Sequence, residues 1–516
     1  MYVKTTRTYP MSKTSEWSAA KRKLRASLVL ALIYPLAVSV GLIGCRSLNS
    51  TQSSAPSALD ENNINLIFVS SPDLDYHAPG DIQPDTANLT PQGLNRSLLM
   101  ATYLKQQVLG AKNVTQIIAL APMTHLQTAN AYPDMTAIGY IQPFALLNQE
   151  TLLIDKSPTG PTFTANSQAL KVAYPSSASL PGGVAAPQFG YSTTCSGLDY
   201  YNNGGCNDAL LSRIIDKNRA GYHVFSAPWK TIRDLLATAN TRYRYNLNLP
   251  SEYLGPNYIY VISIAPSGSV SLVTYDSHLS PLTTYPMLPA PVPRAACTHL
   301  LQAQFSAKRI GGVDGVTVPA TINKNQTLYI VRHAEAHPDT TFQFENGNFV
   351  AAGLWRALDL TNALAGKIKP QVVYSIDPSQ WYTAPLSGED VSYVRASLTV
   401  LPYAIDHNLP YHLVSGFSLF GGGVGPLTSN YFFTGGKFSD RTVLLAWESQ
   451  RVLPLIKALL DSYGGSNLPP LPARWLGDDY NTIWTVRLDA QGNLTVDNDL
   501  CEGIDSARLP ATAPPF

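Results

Sequence analysis

The chain has 516 residues, 45% of them hydrophobic and 14% charged, with a formal net charge of +1. That length exceeds one ordinary hydrophobic core and predicts two domains, and the composition excludes a disordered or collagen-like chain. Beyond residue 45 the balance turns mildly acidic, with 29 Lys/Arg against 34 Asp/Glu, which argues against a nucleic-acid surface.

The first stretch is a leader. Lys21, Arg22, Lys23 and Arg25 precede an uncharged run from Ala26 to Leu42-Ile43-Gly44-Cys45. A basic region, an apolar region and small residues before a Cys make residues 1–45 a secretory signal. The ending resembles a bacterial lipobox, in which Cys45 becomes the lipidated N-terminus. The alternative is an uncleaved anchor helix, since a run of that length just spans a bilayer. Either way the folded part is expected outside the cytoplasm, held at a bacterial membrane on its periplasmic or cell-surface side. Four cysteines remain, and an even count in an oxidising compartment predicts two disulfides. Cys195 and Cys206 bracket a short loop with Gly204-Gly205; Cys297 with Cys501 follows by elimination. There is no C-x-x-C pair, and neither metal nor cofactor is expected.

After a Ser-rich tether (46–63), Leu66-Ile67-Phe68-Val69 predicts a buried strand. Leu89-Thr90-Pro91-Gln92-Gly93-Leu94-Asn95-Arg96 opens a helix with Pro in its first turn, running to about Gln107. Val114 to Leu120 reads as a strand and Tyr140 to Leu147 as a mixed apolar segment. Residues 150–220, rich in Pro, Gly and Ser, read as an irregular insertion. Strand and helix resume at Tyr222-His223-Val224-Phe225 and Lys230 to Ala237. Tyr258 to Ile264 and Ser269 to Tyr275 form a hairpin.

The second half repeats this order. Leu328 to Val331 matches Leu66 to Val69, and Gly353-Leu354-Trp355-Arg356 matches Gly93-Leu94-Asn95-Arg96. Leu401-Pro402-Tyr403-Ala404 matches Gln142-Pro143-Phe144-Ala145, and Val443 to Ala446 matches Tyr222 to Phe225. Trp475-Leu476-Gly477 matches Tyr253-Leu254-Gly255. Five blocks in one order predict a tandem duplication, 64–287 and 325–516, joined by a Pro-rich linker, 288–324. The expected fold is α/β: two similar three-layer domains, each a mostly parallel sheet flanked by helices.

The strand Leu328 to Val331 delivers Arg332 and His333 at its C-terminal end, where open α/β sheets place their ligands. Imidazole can attack phosphorus while guanidinium pairs with its oxygens. Arg332-His333-Ala334-Glu335, then Gly353-Leu354-Trp355-Arg356-Ala357, Val372-Val373-Tyr374-Ser375 and Tyr393-Val394-Arg395-Ala396 resemble the histidine phosphatase (phosphoglycerate mutase-like) superfamily over about residues 325–460. The resemblance implies His333 as the nucleophile forming a phosphohistidine and Arg332 and Arg395 as phosphate clamps. It implies a small phosphorylated molecule or anion as partner. The superfamily's second His is replaced by Ser449, since the strand Val443 to Ala446 runs on as Trp447-Glu448-Ser449 and no His follows His412. Glu448 is the tentative acid, with Glu335, Glu389 and Asp390 as other candidates. In the first half Ser70 and Ser71 stand for Arg332 and His333, Thr136 for Arg395 and Pro228 for Ser449; His77 and His125 read as ordinary loop histidines. Two functions follow: an exported, membrane-anchored phosphomonoesterase of reduced activity, or a silent pseudo-phosphatase that binds an anion or serves as a structural lipoprotein. Gly421-Gly422-Gly423-Val424-Gly425 lacks a following Lys-Ser/Thr and is not a P-loop.

Overall fold

The computed structural model describes residues 57–76, 79–153, 162–174, 197–202, 204–297, 305, 308–310, 315–338, 344–384, 388–414, 424–464 and 468–516. Cys45 and its leader, His77, Cys195 of the first expected disulfide, and residues 421–423 of the glycine loop lie outside them.

The first half runs β1 Ile64–Ser71, α1 Pro91–Tyr103, β2 Gln116–Ala119, β3 Leu126–Gln127, β4 Tyr132–Pro133, α2 Thr136–Ala145 and β5 Gln149–Leu153. It continues with β6 Thr162–Asn166, β7 Leu170–Lys171, α3 Cys206–Ile215, β8 Gly221–Pro228, α4 Trp229–Tyr243, β9 Tyr258–Ile264 and β10 Val270–Asp276. The second half runs β11 Lys308–Arg309, β12 Gln326–Arg332, α5 Ala351–Leu364, β13 Val372–Ile376, β14 Trp381–Thr383, β15 Asp390–Ser392 and α6 Arg395–Asp406. It ends with β16 Tyr411–Val414, α7 Val424–Phe433, β17 Thr442–Trp447, α8 Ser449–Ser462, β18 Thr482–Leu488 and β19 Leu494–Cys501.

Two α/β sheets result. The first has the order β10-β9-β1-β8-β2-β7, the second β11-β19-β18-β12-β17-β13-β16. In each, four strands run parallel, β1, β8, β2 and β7 or β12, β17, β13 and β16, and an antiparallel hairpin flanks them. Apart from β11 the two sheets have the same order and directions. The same side-chain tie also recurs. Arg96 of α1 donates to Asn257, just before β9, at 2.7 Å, and Arg356 of α5 donates to Asn481, just before β18, at 3.4 Å.

The strands form because a parallel strand covered on both faces demands a continuous apolar run. Leu66 and Phe68 of β1 pack toward α3 and α4, while Ile67 and Val69 pack toward α1 and α2. Leu328 and Ile330 of β12 pack toward α7 and α8, and Val331 toward α5 and α6. A single apolar cluster holds α1, α2, α5 and α6 together, α2 lying on the first sheet and α6 on the second, with α1 and α6 in contact between the halves. Gly139 of α2 permits close approach as well: a Cβ there would lie 2.7 Å from Leu401 of α6.

Three sequence expectations change. Tyr140 to Leu147 belongs mostly to helix α2, with Pro143 in its interior as Pro402 is in α6. The described parts of 150–220 are not irregular: β5 and β6 pair as a hairpin, β7 joins the first sheet, and α3 covers it. The segment after β10 is packed down as well. Leu288 and Val292 cover Trp355, Arg294 pairs with Asp359 at 2.6 Å, and Cys297 is bonded to Cys501 with their Cα atoms 5.7 Å apart.

Candidate active site

His333 leaves β12 one residue beyond Arg332, and its backbone N–H donates to the Trp447 carbonyl at 3.3 Å. That bond carries the β12–β17 ladder one residue further, so Glu448 and Ser449 emerge beside His333. The imidazole is buried, and its Nδ1 lies 2.8 Å from the Ala334 carbonyl oxygen. A carbonyl only accepts, so Nδ1 carries the proton and Nε2 keeps its lone pair. Burial first, then the charges of Arg395 and Arg332, hold the ring's pKa well below the usual histidine range. A neutral imidazole with one defined nucleophilic nitrogen is the result. The rings of Tyr393 and Tyr480 meet it edge-on, each with its centroid 6.0 Å away.

Arg332 is anchored by the loop before β18. Its Nη1 donates to the carbonyls of Leu476 (3.1 Å), Gly477 (2.7 Å) and Asp479 (3.1 Å), and its guanidinium lies 4.0 Å from the Tyr480 ring centroid. Its buried Nε has no hydrogen-bond partner among the described residues. Arg395 opens α6, where the helix dipole adds positive potential. Its N–H donates to Gly347 at 3.1 Å and its Nη2 to Glu345 at 2.9 Å. The two guanidiniums and His333 thus share one buried, positively charged neighbourhood, suited to a dianion.

The carboxylate candidates separate. Glu335 is bound to Arg356 at 2.7 Å, and Arg356 also pairs with Glu502, so Glu335 serves a buried structural network. Asp390 accepts from Thr383 in an exposed hairpin, and Glu389 is exposed beside it. Glu448 caps α8: its Oε1 accepts the N–H of Gln450 at 3.0 Å and the Ser449 hydroxyl at 3.2 Å. Its Oε2 is buried without a partner among the described residues. One residue was missed by sequence reasoning. His337 stands four positions after His333, a spacing readable in the sequence, and burial with the charge of Arg395 lowers its pKa to about 4.

The first half reaches into this site. Asn346, in the loop that carries Glu345 and Gly347, donates to Glu150 of β5 at 2.7 Å and to Ser167 at 3.0 Å. Asn348 donates to the Gln168 carbonyl at 3.1 Å, Val172 exchanges hydrogen bonds with Ser392, and Tyr174 donates to Asp377 at 2.6 Å. Glu150 and the segment 167–174 therefore clasp the loops 346–349 and 377–392 that precede Arg395. A cavity of about 790 Å³, within the range of small-molecule sites, opens between Thr164 and Asn166 of the first half and His337, Gly477 and Tyr480 of the second.

In the first half, strand pairing corrects two sequence matches by one residue. Val69 lies opposite Ser226 and Val331 opposite Ala446, so Val443–Ala446 correspond to His223–Ser226. Ser449 opens α8 as Trp229 opens α4, and Trp229, not Pro228, is its counterpart. Uniformly apolar parallel strands give no alternation by which a one-residue slip could be noticed. Thr136 opens α2 as Arg395 opens α6. His125 is not an ordinary loop histidine: it is buried, 2.6 Å from Asp73, and close to Asp134. Burial pulls its pKa down, but the hydrogen bond to Asp73 and the charges of Asp134 and Asp73 outweigh that and raise it. Burial pushes Asp134 up to about 6.

No protein-family model matches the chain, and no curated protein matches it significantly. Among solved structures, phosphoglycerate mutase from Plasmodium falciparum is similar at 19% identity, over 36% of this chain and 94% of that one, with a TM-score of 0.21. A phosphoserine phosphatase from Entamoeba histolytica, solved with 3-phosphoglyceric acid, is similar at 14% identity, over 35% and 100%, with a TM-score of 0.21. The alpha-ribazole phosphatase from Shigella flexneri is similar at 11% identity, over 36% and 98%, with a TM-score of 0.20. At those scores the likenesses decide neither activity nor substrate, which must be argued from the residues of the site itself.

Proposed function

We propose that this chain is a histidine-phosphatase-like phosphomonoesterase acting on a small phosphorylated molecule through His333. The observation that supports the reading is the Nδ1–H bond to Ala334, which leaves the Nε2 lone pair free in a ring that feels the charges of Arg395 and Arg332. In the proposed reaction Nε2 attacks phosphorus, the P–O bond to the leaving alcohol breaks, and the alcohol oxygen takes a proton from Glu448. Water then attacks the phosphohistidine, returning its proton to Glu448 and releasing phosphate. Arg332 and Arg395 stabilise the charge on the transferring group.

The shared strand order and the paired Arg–Asn ties support reading the two halves as a duplication whose first copy lost the chemistry. Export and lipid anchoring at Cys45 rest on the sequence alone and belong to the same proposal. One observation favours the second reading, a silent anion-binding protein. Where a second imidazole is expected, Ser449 offers only a hydroxyl, and it donates that to Glu448. The two are separated by assaying the purified full-length chain against a panel of phosphomonoesters. Phosphate release that disappears in His333→Ala supports the enzyme. Equal release from His333→Ala overturns it, and no release with retained phosphate binding selects the binding protein.

A further inference from the structure

The first half lacks every charged group of the phosphate site, yet it gathers three ligating side chains at the same end of its parallel strands. Asp73 follows β1, His125 lies between β2 and β3, and Asp134 immediately precedes α2. All three are buried, and one donor atom from each lies within 4.8 Å of the others. Each carboxylate is oriented through its first oxygen. Asp73 Oδ1 accepts the N–H of Asp75 at 2.8 Å, while its Oδ2 faces His125 Nε2 at 2.6 Å. Asp134 Oδ1 accepts from the Thr136 N–H at 2.9 Å and hydroxyl at 2.6 Å. Its Oδ2, fully buried, has no partner among the described residues.

A fourth buried side chain fixes the segment beside Asp73. Gln127 is buried and bonds the segment beside Asp73 through its Oε1, which accepts the Leu74 N–H at 3.0 Å. Its Nε2 has no partner among the described residues, and neither has the buried hydroxyl of Ser71. Buried polar atoms are nearly always satisfied, so the orphaned acceptor Asp134 Oδ2 within the cluster points to a bound cation. Two carboxylates in a dry site also repel each other, and a single imidazolium balances only one of them.

We propose that Asp73, His125 and Asp134 bind one divalent first-row transition cation, of the Zn²⁺ or Mn²⁺ type. His125 ligates through Nε2 and each Asp through one oxygen, and the proton between His125 and Asp73 leaves as the ion enters. The Asp75 N–H, the Thr136 pair and the Tyr200 ring, stacked on His125 at 3.7 Å, supply the orienting outer shell. Asp134 stands two residues before Thr136, as Tyr393 stands two before Arg395. The cation therefore lies at the same end of its sheet as Arg332, His333 and Arg395 do in the second half, and it ties together the loop after β1, the loop before β3 and the start of α2.

The test uses the full-length chain in detergent, stripped with a chelator and titrated separately with ZnCl₂ and MnCl₂. Metal content is measured after gel filtration, and Co²⁺ serves as a visible-absorption probe of the ligand set. The expected result is one ion per chain, a raised Tm, and affinity lowered at least about tenfold by Asp134→Asn, which keeps the side-chain shape. His125→Gln should remove the Co²⁺ bands as well, whereas His407→Gln, outside the cluster, should leave both readouts unchanged. Failure of the wild-type chain to retain either ion, with no change in Tm, overturns the site and leaves an Asp73–His125 ion pair. Unchanged binding in both Asp134→Asn and His125→Gln overturns it by placing the ion elsewhere.

Discussion

The Ala334 carbonyl decides which nitrogen of His333 keeps its lone pair, and burial, reinforced by the charges of Arg395 and Arg332, holds the ring neutral. Arg332 and His333 were legible as a pair because a strand end delivers them together. What anchors Arg332 was not, since it depends on the carbonyls of Leu476, Gly477 and Asp479, far away in sequence. Ser449 sits beside Glu448 at the start of α8. Its hydroxyl can donate one hydrogen bond but carries no charge, and one preorganised donor is typically worth about a hundred- to a thousand-fold in rate. Ser449→His places an imidazole at the first residue of α8, beside the end of β12. Phosphate release should rise about tenfold or more, and only while His333 is present. A rise that persists in the Ser449→His, His333→Ala double variant would mean that the nucleophile is misassigned. No rise in a folded Ser449→His protein would favour the binding-protein reading.

Among the elements, the β5–β6 hairpin and the strand β7 were the least legible in the sequence. Gln149, Glu150 and Thr151 alternate weakly and lie among Pro, Gly and Ser, so local pattern reads as a loop. What orders them is a set of partners in the other half, Asn346, Asn348, Phe349 and Ser392. The effect is to fix the loop whose Glu345 and Gly347 hold Arg395. Burial raises the Glu150 carboxyl to about 7, and the Asn346 amide offsets that burial by donating to it. Asn346→Ala should therefore weaken binding of inorganic phosphate by about three- to tenfold, in keeping with the roughly 1 kcal/mol of one buried hydrogen bond. The far-UV spectrum should be unchanged. Titration calorimetry measures this directly, and wild-type phosphate affinity in the variant would show that the clasp does not position Arg395.

For the molecule as a whole, the repeated order of strand and helix blocks was readable because buried strands and glycine-bearing helix starts leave composition signals. How the halves associate was not readable, since the surfaces of α1, α2, α5 and α6 are apolar whether they face a sheet or each other. Residues Ala55 to Phe516 form one compact unit, in which the inner helices α1 and α2 share an apolar core with α5 and α6. The C-terminal tail fastens it further: Thr102 of α1 donates to the Phe516 carbonyl at 3.0 Å, and Trp355 of α5 donates to that of Thr512 at 2.8 Å. Neither half can unfold without exposing the inner helices of the other, which predicts one cooperative transition instead of two. Leu66→Ala in β1 and Leu328→Ala in β12 remove fully buried side chains on the outer faces of the two sheets. Each should cost about 2–5 kcal/mol and shift the same urea transition to a lower midpoint. Tryptophan fluorescence and far-UV circular dichroism should follow one curve in both variants. A biphasic curve in which Leu66→Ala moves one phase and Leu328→Ala the other would show that the shared apolar core does not couple the halves.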